Sequence, residues 1–455
     1  MAIPGTACDA LAGLFGDRVT FDSAEALTYG YDNSRRQAQP DAVVFPVTHD
    51  EVAGLVAICR SGRVPLVARG RGTNTTGATV PVAGGVVASF ERMNRILRID
   101  PGDRAAVVEP GVLNADLQQA LAPSGLFWPP DPTSAPYCTV GGNLACNAGG
   151  PHTVKYGATR DNVLALRAVD GTGASFRCGT ATTKGSTGYD LTRLLIGSEG
   201  TLAVITEATL KLTSRASARR TLRATFADML AAASAVARVM AQPVTPCALE
   251  FMDADSLELV RAHGADVPEG AGAMLLIEVD GEVEALDAAV DAVSKAARGD
   301  GIVELRAARD QAESDALWSA RKALSPALRN ISEHKINEDV VVPVSQIPEL
   351  VARVRRIAEG HALPIVSFGH AGNGNLHVNL LPRDDGERAR SAAALTEVFE
   401  AVIELGGTLS GEHGIGLAKR DFMPRALDPE ALDLMRRLKG VFDPDGILNP
   451  GKLLP

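Results

Sequence analysis

RGRGTNTTG, residues 69–77, grows out of VPLVARG (64–70), an apolar run that reads as a buried strand. A glycine-rich loop after a strand is first tested against the dinucleotide fingerprint G-x-G-x-x-G. Here the spacing is G-x-G-x-x-x-x-G, and the next residues, ATVPVAGGVVASF, contain Pro81 and a glycine pair. No crossover helix can follow, so the loop fails that test. Its successive backbone N–H groups can still cradle a diphosphate as a nest; an ordinary glycine turn is the alternative.

Two further loops bear on that choice. PPDPTSAPYCTVGGNLACNAGG (129–150) crowds Gly and Asn into its last ten residues, letting backbone approach a flat or charged ligand closely. LIGSEGTLAVITEATLKL (195–212) sets Gly197 and Gly200 just before two strand-like runs. Three such loops in one region point to a large, extended cofactor. Between them, 47–62 reads as a helix with Thr48 and Glu51 in capping-box spacing, and 105–111 as a strand. Residues 114–125 read as a helix capped by Asn114, and 163–176 as two strands joined by a tight turn.

Near residue 215 the texture changes. TLRATFA, PCALEFMD, AMLLIEVDG and IVELRAA read as strands alternating with helices, the clearest at 227–241 and 282–298. Helix 311–329, strand 335–343 and helix 345–360 continue the pattern. An α+β class follows, with the second half expected to form a sheet covered by helices on one face. The expected domains are 1–215, 216–440 and a turn-rich C-terminal segment, 441–455, that docks back on another surface.

The chain has 455 residues, a net charge of −10 and only 4% aromatics, which argues against nucleic acid as partner. Six cysteines without a C-x-x-C pair suit reduced thiols in a cytoplasmic protein better than disulfides or a structural zinc site. No signal peptide or transmembrane segment is expected.

RGRGTNTTG, PPDPTS…TVGGNLACNAGG, KYGATRDNV and GYDLTRLLIGSEGTLAVIT, in this order, resemble the FAD-binding domain of the p-cresol methylhydroxylase and vanillyl-alcohol oxidase superfamily. Within it the chain is similar to FAD-linked D-2-hydroxy acid dehydrogenases acting on D-lactate, glycolate or D-2-hydroxyglutarate. The match runs from about residue 20 through the terminal GILNPGK. The resemblance implies a two-part FAD-binding domain, an α+β substrate (cap) domain with an antiparallel sheet, and a C-terminal segment returning to the FAD domain. It lays Arg69, Gly70, Gly72, Thr73, Asn74 and Gly77 along the FAD diphosphate. Pro130, Thr133, Gly142, Asn143, Asn147 and Gly149 fall near the ribityl chain and isoalloxazine, and Glu199, Gly200 and Ile205 by the adenosine part. Asn449 joins the cofactor-binding positions. The first loop holds no histidine, so FAD is expected to bind non-covalently.

FGHAGNGNLHVN (368–379) carries two of the chain's eight histidines. Asn373-Gly374 predicts a type I′ hairpin turn that sets His370 directly opposite His377, close enough to share one divalent ion, with a turn of hydrogen-bonded histidines as the alternative. GGTLSGEHGIG (406–416) offers Glu412 as a third ligand and His413 as a general base. The resemblance agrees on all four positions, and the expected ion is zinc, with manganese second. Asn375 lies between the ligands, within reach of substrate. Arg321 matches the family's carboxylate-binding arginine, with Ser325 one turn beyond.

A 2-hydroxy acid needs a carboxylate clamp, a base for the hydroxyl proton and a hydride acceptor, here flavin N5. Lys335 supplies a cation for a second carboxylate, standing four residues before Asp339, where D-2-hydroxyglutarate relatives carry a lysine two before and this chain has Asn337. D-2-hydroxyglutarate is therefore favoured slightly, with D-lactate close. The electron acceptor is expected to be an electron-transfer flavoprotein, quinone or cytochrome, and the chain is a candidate homodimer. Three alternatives stand beside this reading: a glycolate or D-lactate oxidase, a subunit of a multi-subunit glycolate-oxidizing complex, and a flavin-free metallohydrolase on His370, His377 and Glu412.

Overall fold

The structure is a computed structural model describing residues 3–262 and 267–455; the side chains of Ser325, Pro326 and Arg329 lie outside it, and with them the contact expected of Ser325. The chain divides into two compact units. Unit 1 holds 1–150, 157–215 and 412–455; unit 2 holds 151–156 and 216–411. The change at 215 coincides with the shift in sequence texture. The C-terminal division differs from the expected 441: the chain rejoins unit 1 at Glu412, because the stretch after it is hydrogen-bonded into the glycine loops.

Unit 1 contains a four-stranded sheet and a five-stranded antiparallel one. The first runs Val19–Thr20, Ala42–Val44, Val86–Ser89, Leu66–Arg69, its last three strands parallel. Ala42–Val44 and Leu66–Arg69 are joined by helix His49–Gly62, whose Thr48 hydroxyl accepts from the Glu51 N–H at 3.2 Å as the sequence predicts. Its Val52, Leu55, Val56 and Cys59 pack on Val44, Leu66 and Val86. The second sheet runs Ile96–Asp100, Ala105–Val108, Ala203–Lys211, Val163–Asp170, Ser175–Gly179. Asn114 opens helix Asn114–Leu121 from inside rather than capping it: its carboxamide donates to Pro130 O at 3.0 Å and Asn143 Oδ1 at 3.1 Å, tying the helix to the second glycine loop.

Unit 2 is built on one seven-stranded antiparallel sheet: Ile302–Ala307, Ala218–Phe226, Ala273–Gly281, Ala248–Asp253, Ile365–His370, Asn375–Leu380, Ile336–Val341. Helices Ala254–Ala262 and Gln311–Ile331 pack through Leu257, Val260, Leu324 and Leu328 onto Met252, Met274, Leu276, Val366 and Phe368. The alternate residues Leu249, Phe251, Leu275 and Ile277 are equally buried, so both faces of the sheet are covered, not one as expected. Among the described residues no helix is long and apolar enough to cross a membrane.

The terminal GILNPGK closes unit 1. Asn449 donates from its carboxamide to Ala78 O (2.9 Å) and Glu199 O (2.7 Å), and the Lys452 ammonium donates to Val80 O at 2.6 Å. Burial pushes Lys452 down from 10.5 to about 8, with Glu199 and Asp32 acting against that fall. Between these two values the unfolded chain holds the proton that the folded one has released, so folding strengthens as pH rises from about 8 to 10.5 and loses that contribution as pH falls through about 8. The thermal midpoint of the wild type is expected to climb relative to Lys452→Met across this window. A pH-independent gap between the two melting curves would contradict the assignment.

Candidate active site

In unit 1 the glycine loops converge on one another. Gly72 and Gly77 take φ of +64° and +82°, open to glycine at no steric cost. A Cβ on Gly70 would collide with the Thr139 hydroxyl, so this loop and the start of the second touch backbone to side chain. Asn74 organises the turn: its Oδ1 accepts from Thr76 N (2.8 Å) and Thr76 Oγ1 (2.7 Å), and its Nδ2 donates to His413 O at 2.8 Å. The Thr75 hydroxyl beside it is buried with no hydrogen-bond partner among the described residues. Asn147 and Glu199 sit in the left-handed region at φ 52° and 54°.

Several expected cofactor positions prove to be braced by protein. Arg69 is buried, its guanidinium donating to Tyr31 O at 2.6 Å and Thr79 Oγ1 at 3.2 Å. Glu199 is buried, and its carboxylate accepts from Ile415 N (2.6 Å) and Gly416 N (2.9 Å). Burial raises the Glu199 carboxyl, with those two N–H groups pulling it back. Asn143 is buried among Asn114 and Cys138, Asn147 Oδ1 accepts from Arg160 N at 2.9 Å, and Ile205 lies in strand Ala203–Lys211 paired with Ala168. Pro130 and Gly149 are buried, Thr73, Gly142 and Gly200 half-buried, and Thr133 exposed. His413 is thus fixed at the first glycine loop from two sides: through Asn74 at its own carbonyl and through Glu199 just beyond it.

In unit 2 the two histidines meet, by a route the sequence did not specify. Only Gly374 adopts positive φ (+74°); Asn373 closes a helical turn, with Gly374 N donating to Ala371 O at 2.9 Å. The register therefore sets His377 opposite Phe368, not opposite His370. A slip of two residues preserves the face, so both imidazoles still point the same way. Their centroids lie 5.3 Å apart at 85°. Two imidazoles on one tetrahedral ion, with Zn–N near 2.0–2.1 Å, would place centroids about 5 Å apart.

The same face carries a residue the motif search missed. Glu250 pairs with His370 across the strands, and its carboxylate lies 2.6 Å from His370 Nδ1 and 2.7 Å from the Arg321 guanidinium. Burial alone would raise this carboxyl; His370 and Arg321 more than offset it and hold it below its ordinary value. Arg321 also lies over the Phe368 ring at 4.6 Å, and its Nε is buried without a partner among the described residues. Asn375 Oδ1 is likewise unpartnered and buried. Asp339, opposite His377, accepts from Ser410 Oγ (3.0 Å) and Gly411 N (2.9 Å), fixing the chain one residue before Glu412. Asn337 pairs with Asn379 on this face, whereas Lys335 precedes the strand, which begins at Ile336. The one signal that pointed to Glu250 was a lone carboxylate inside the apolar run ALEFM, on the even-numbered face of its strand.

The donor types on these two surfaces, glycine loops in one unit and an arginine-carboxylate-imidazole row in the other, call for comparison with known proteins. Residues 215–453 match the family of FAD linked oxidases, C-terminal domain, and residues 40–179 match the FAD binding domain. The chain belongs to the FAD-linked oxidases. This FAD-linked oxidase is 41% identical to glycolate oxidase subunit GlcD of Bacillus subtilis (strain 168), over 95% of this chain and 93% of that one. It is 35% identical to a D-lactate dehydrogenase of Anaerostipes hadrus, over 97% and 94% of the two chains. To a D-2-hydroxyglutarate dehydrogenase of Stutzerimonas stutzeri (strain A1501) it is 33% identical, over 96% of each. Among solved structures, p-cresol methylhydroxylase shares the fold with a TM-score of 0.81 at 17% identity, covering 98% of this chain and 96% of that one. The flavin-free hydrolase alternative falls with this membership: the protein is an FAD-linked oxidoreductase.

Glu250 gives the FAD-linked oxidase its sharpest stability test. Glu250→Ala would leave the Arg321 charge buried without its partner, and removal of one member of a buried pair costs about 3–5 kcal/mol. The double variant Glu250→Ala/Arg321→Met should recover most of that loss in urea denaturation. If it is no more stable than the single variant, the pair is not what holds the two side chains.

Proposed function

We propose that this FAD-linked oxidase converts a D-2-hydroxy acid to the 2-oxo acid, with His370, His377 and Glu412 as ligands of a divalent metal and His413 as base. The observation that carries the reading is the row Arg321, Glu250, His370, His377 on one buried face of the unit 2 sheet. Two imidazoles at tetrahedral spacing, with Glu412 one peptide bond beyond the anchored Gly411, form a donor set suited to zinc. The unpartnered Thr75 hydroxyl and the glycines of the first loop suit a diphosphate, and that loop has no histidine to tether a flavin covalently.

When bound, FAD supplies the acceptor for the substrate's α-hydrogen with its electron pair, and the metal a Lewis acid that acidifies the hydroxyl. Arg321 keeps one arm on Glu250 and offers Nε to the substrate carboxylate. Glu250, at Nδ1 of His370, fixes the tautomer that leaves Nε2 as the nitrogen that would hold the metal. His413 takes the hydroxyl proton. Relatives named for glycolate, D-lactate and D-2-hydroxyglutarate support the class. The neutral pair Asn337–Asn379 on the histidine face, with Lys335 off the strand, supports a short monocarboxylate such as D-lactate or glycolate over the dicarboxylate favoured by sequence.

Anaerobic bleaching of the flavin tests each part. D-lactate, glycolate, D-2-hydroxyglutarate and D-malate should all be ranked, with a short acid fastest and L-lactate inert. Chelator treatment should slow bleaching and added Zn²⁺ or Mn²⁺ restore it. His413→Ala should cost roughly 10²–10⁴-fold in the bleaching rate while FAD absorbance persists. A rate unmoved by both chelator and His413→Ala would sink the mechanism; fastest bleaching by D-2-hydroxyglutarate would reverse the substrate assignment.

A further inference from the structure

A second group of metal-ligating side chains lies in unit 2, apart from the two histidines of the proposed site. His152, Cys247 and Glu278 each offer one ligand atom, and these atoms all fall within 4.8 Å of one another. They come from three separate places. His152 stands on the short excursion 151–156 that the chain makes into unit 2. Cys247 immediately precedes strand Ala248–Asp253, its N–H donating to Glu278 O at 2.7 Å. Glu278 lies on the neighbouring strand Ala273–Gly281, opposite Ala248.

The spacing of the donors is the first argument. His152 Nε2 lies 3.4 Å from Glu278 Oε1, and Cys247 Sγ lies 3.7 Å from the same oxygen. The first is past the ordinary range for an N–H···O bond, about 2.7–3.2 Å. Both are close to the edges of a tetrahedron: Zn–N near 2.0–2.1 Å, Zn–O near 2.0–2.2 Å and Zn–S near 2.3 Å give edges of about 3.3 Å for N···O and about 3.5–3.6 Å for S···O. The orientation of the carboxylate is the second. Trp318 Nε1 (3.0 Å) and the Thr221 hydroxyl (3.2 Å) both donate to Oε2, so Oε1 alone is turned to His152 and Cys247. The His152 ring is stacked against Trp318, centroids 6.5 Å apart at 23°, which fixes the imidazole plane. Outer partners that hold each ligand in one pose are the mark of a built metal site. Access is the third: the His152 side chain is 29% exposed while Glu278 is 3% exposed, so an ion has a way in and a buried seat to occupy.

We propose that His152, Cys247 and Glu278 form a second divalent-metal site, with Zn²⁺ as the ion it takes, clamping the 151–156 excursion to the sheet. One thiol, one imidazole and one carboxylate match zinc's borderline-soft preference and disfavour Mg²⁺ and Mn²⁺, which the oxygen alone would serve. On binding, the Cys247 S–H bond breaks, an S–Zn bond forms and the proton passes to solvent; no electrons are transferred. Arg219, 3.7 Å from Oε1 on a side chain 57% exposed, is displaced into water as the ion enters.

Cobalt separates this site from the first, since the His370/His377/Glu412 set contains no sulfur. Metal-stripped full-length flavoprotein carrying His377→Ala is titrated with Co²⁺ alone. The expected result is one equivalent bound per chain with a sulfur-to-cobalt charge-transfer band, both lost in Cys247→Ser and in His152→Ala. Loss of the band in His152→Ala, a half-exposed position, guards against a Cys247 variant that merely fails to fold. Binding without the charge-transfer band, or a band that survives Cys247→Ser, overturns the proposal, as does no binding at all by the His377→Ala protein.

Discussion

A carboxylate sealed between an arginine and an imidazole holds the unit 2 face in one arrangement. Glu250 is 1% exposed and touches Arg321 with one oxygen and His370 with the other. Neither partner can swing away without leaving a charge in a low-dielectric interior, so the geometry of both is set by one residue. Donation from His370 Nδ1 leaves Nε2 as the nitrogen open to another partner, and the ionic grip on Arg321 keeps its guanidinium over Phe368, 4.6 Å from the ring centroid. The strand register makes this possible: Glu250 pairs with His370, and two residues back Phe368 pairs with His377.

Unit 1 solves a different problem, holding loops that carry little hydrophobic surface. Asn147, Glu199 and Asn449 all adopt the left-handed conformation, each costing of order 1–3 kcal/mol for a non-glycine residue unless the surroundings over-determine it. The surroundings do so here. Asn449 donates to two carbonyls through its side chain and to Leu66 O through its N–H; Glu199 accepts from two N–H groups and donates its own N–H to Ala145 O. These bonds tie the second and third glycine loops, the end of the first and the stretch after His413 to one another and to strand Leu66–Arg69.

Local patterns survived the passage from sequence to structure; long-range partners did not. The glycine loops failed the dinucleotide spacing test in the sequence, and the fold bears that out with a mixed sheet of a different kind. Strand and helix limits across 216–361 fell within a few residues of their expected places because alternating burial writes itself into the chain. The hairpin was right in kind and wrong in register. Asn-Gly predicts two left-handed residues, but Asn373 stayed helical and the turn lengthened, and only the period-two geometry of a strand saved the histidine pair. Asn114 looked like a cap, and its carboxamide was drawn to Pro130 and Asn143, residues sixteen and twenty-nine positions away. Glu250 and Cys247 lay in a run whose hydrophobicity announces only a buried strand; their partners are more than thirty residues distant, and no spacing rule reaches that far.

Glu250 and Glu278 offer a controlled contrast within one sheet. Both carboxylates lie on the same face, since Glu278 pairs with Ala248, two residues before Glu250. Glu250 has a buried guanidinium at 2.7 Å, so its charge is compensated inside the protein. Glu278 has Arg219 at 3.7 Å, mostly in solvent, where screening leaves an ion pair worth less than about 1 kcal/mol, and the His152 imidazole at 3.4 Å. Its remaining neighbours, Trp318, Thr221 and Cys247, are neutral donors that orient the carboxylate without cancelling its charge. Burial alone would raise the Glu278 carboxyl, but His152, Arg219 and Trp318 more than offset it and keep it ionised, as a ligand must be; Cys247, whose thiol burial pushes up to about 12, becomes a ligand only when a cation arrives to take the place of its proton. The same strand pair thus holds one carboxylate gripped by a buried arginine and a second held by an imidazole and neutral donors, with one oxygen placed where the proposed ion would bind.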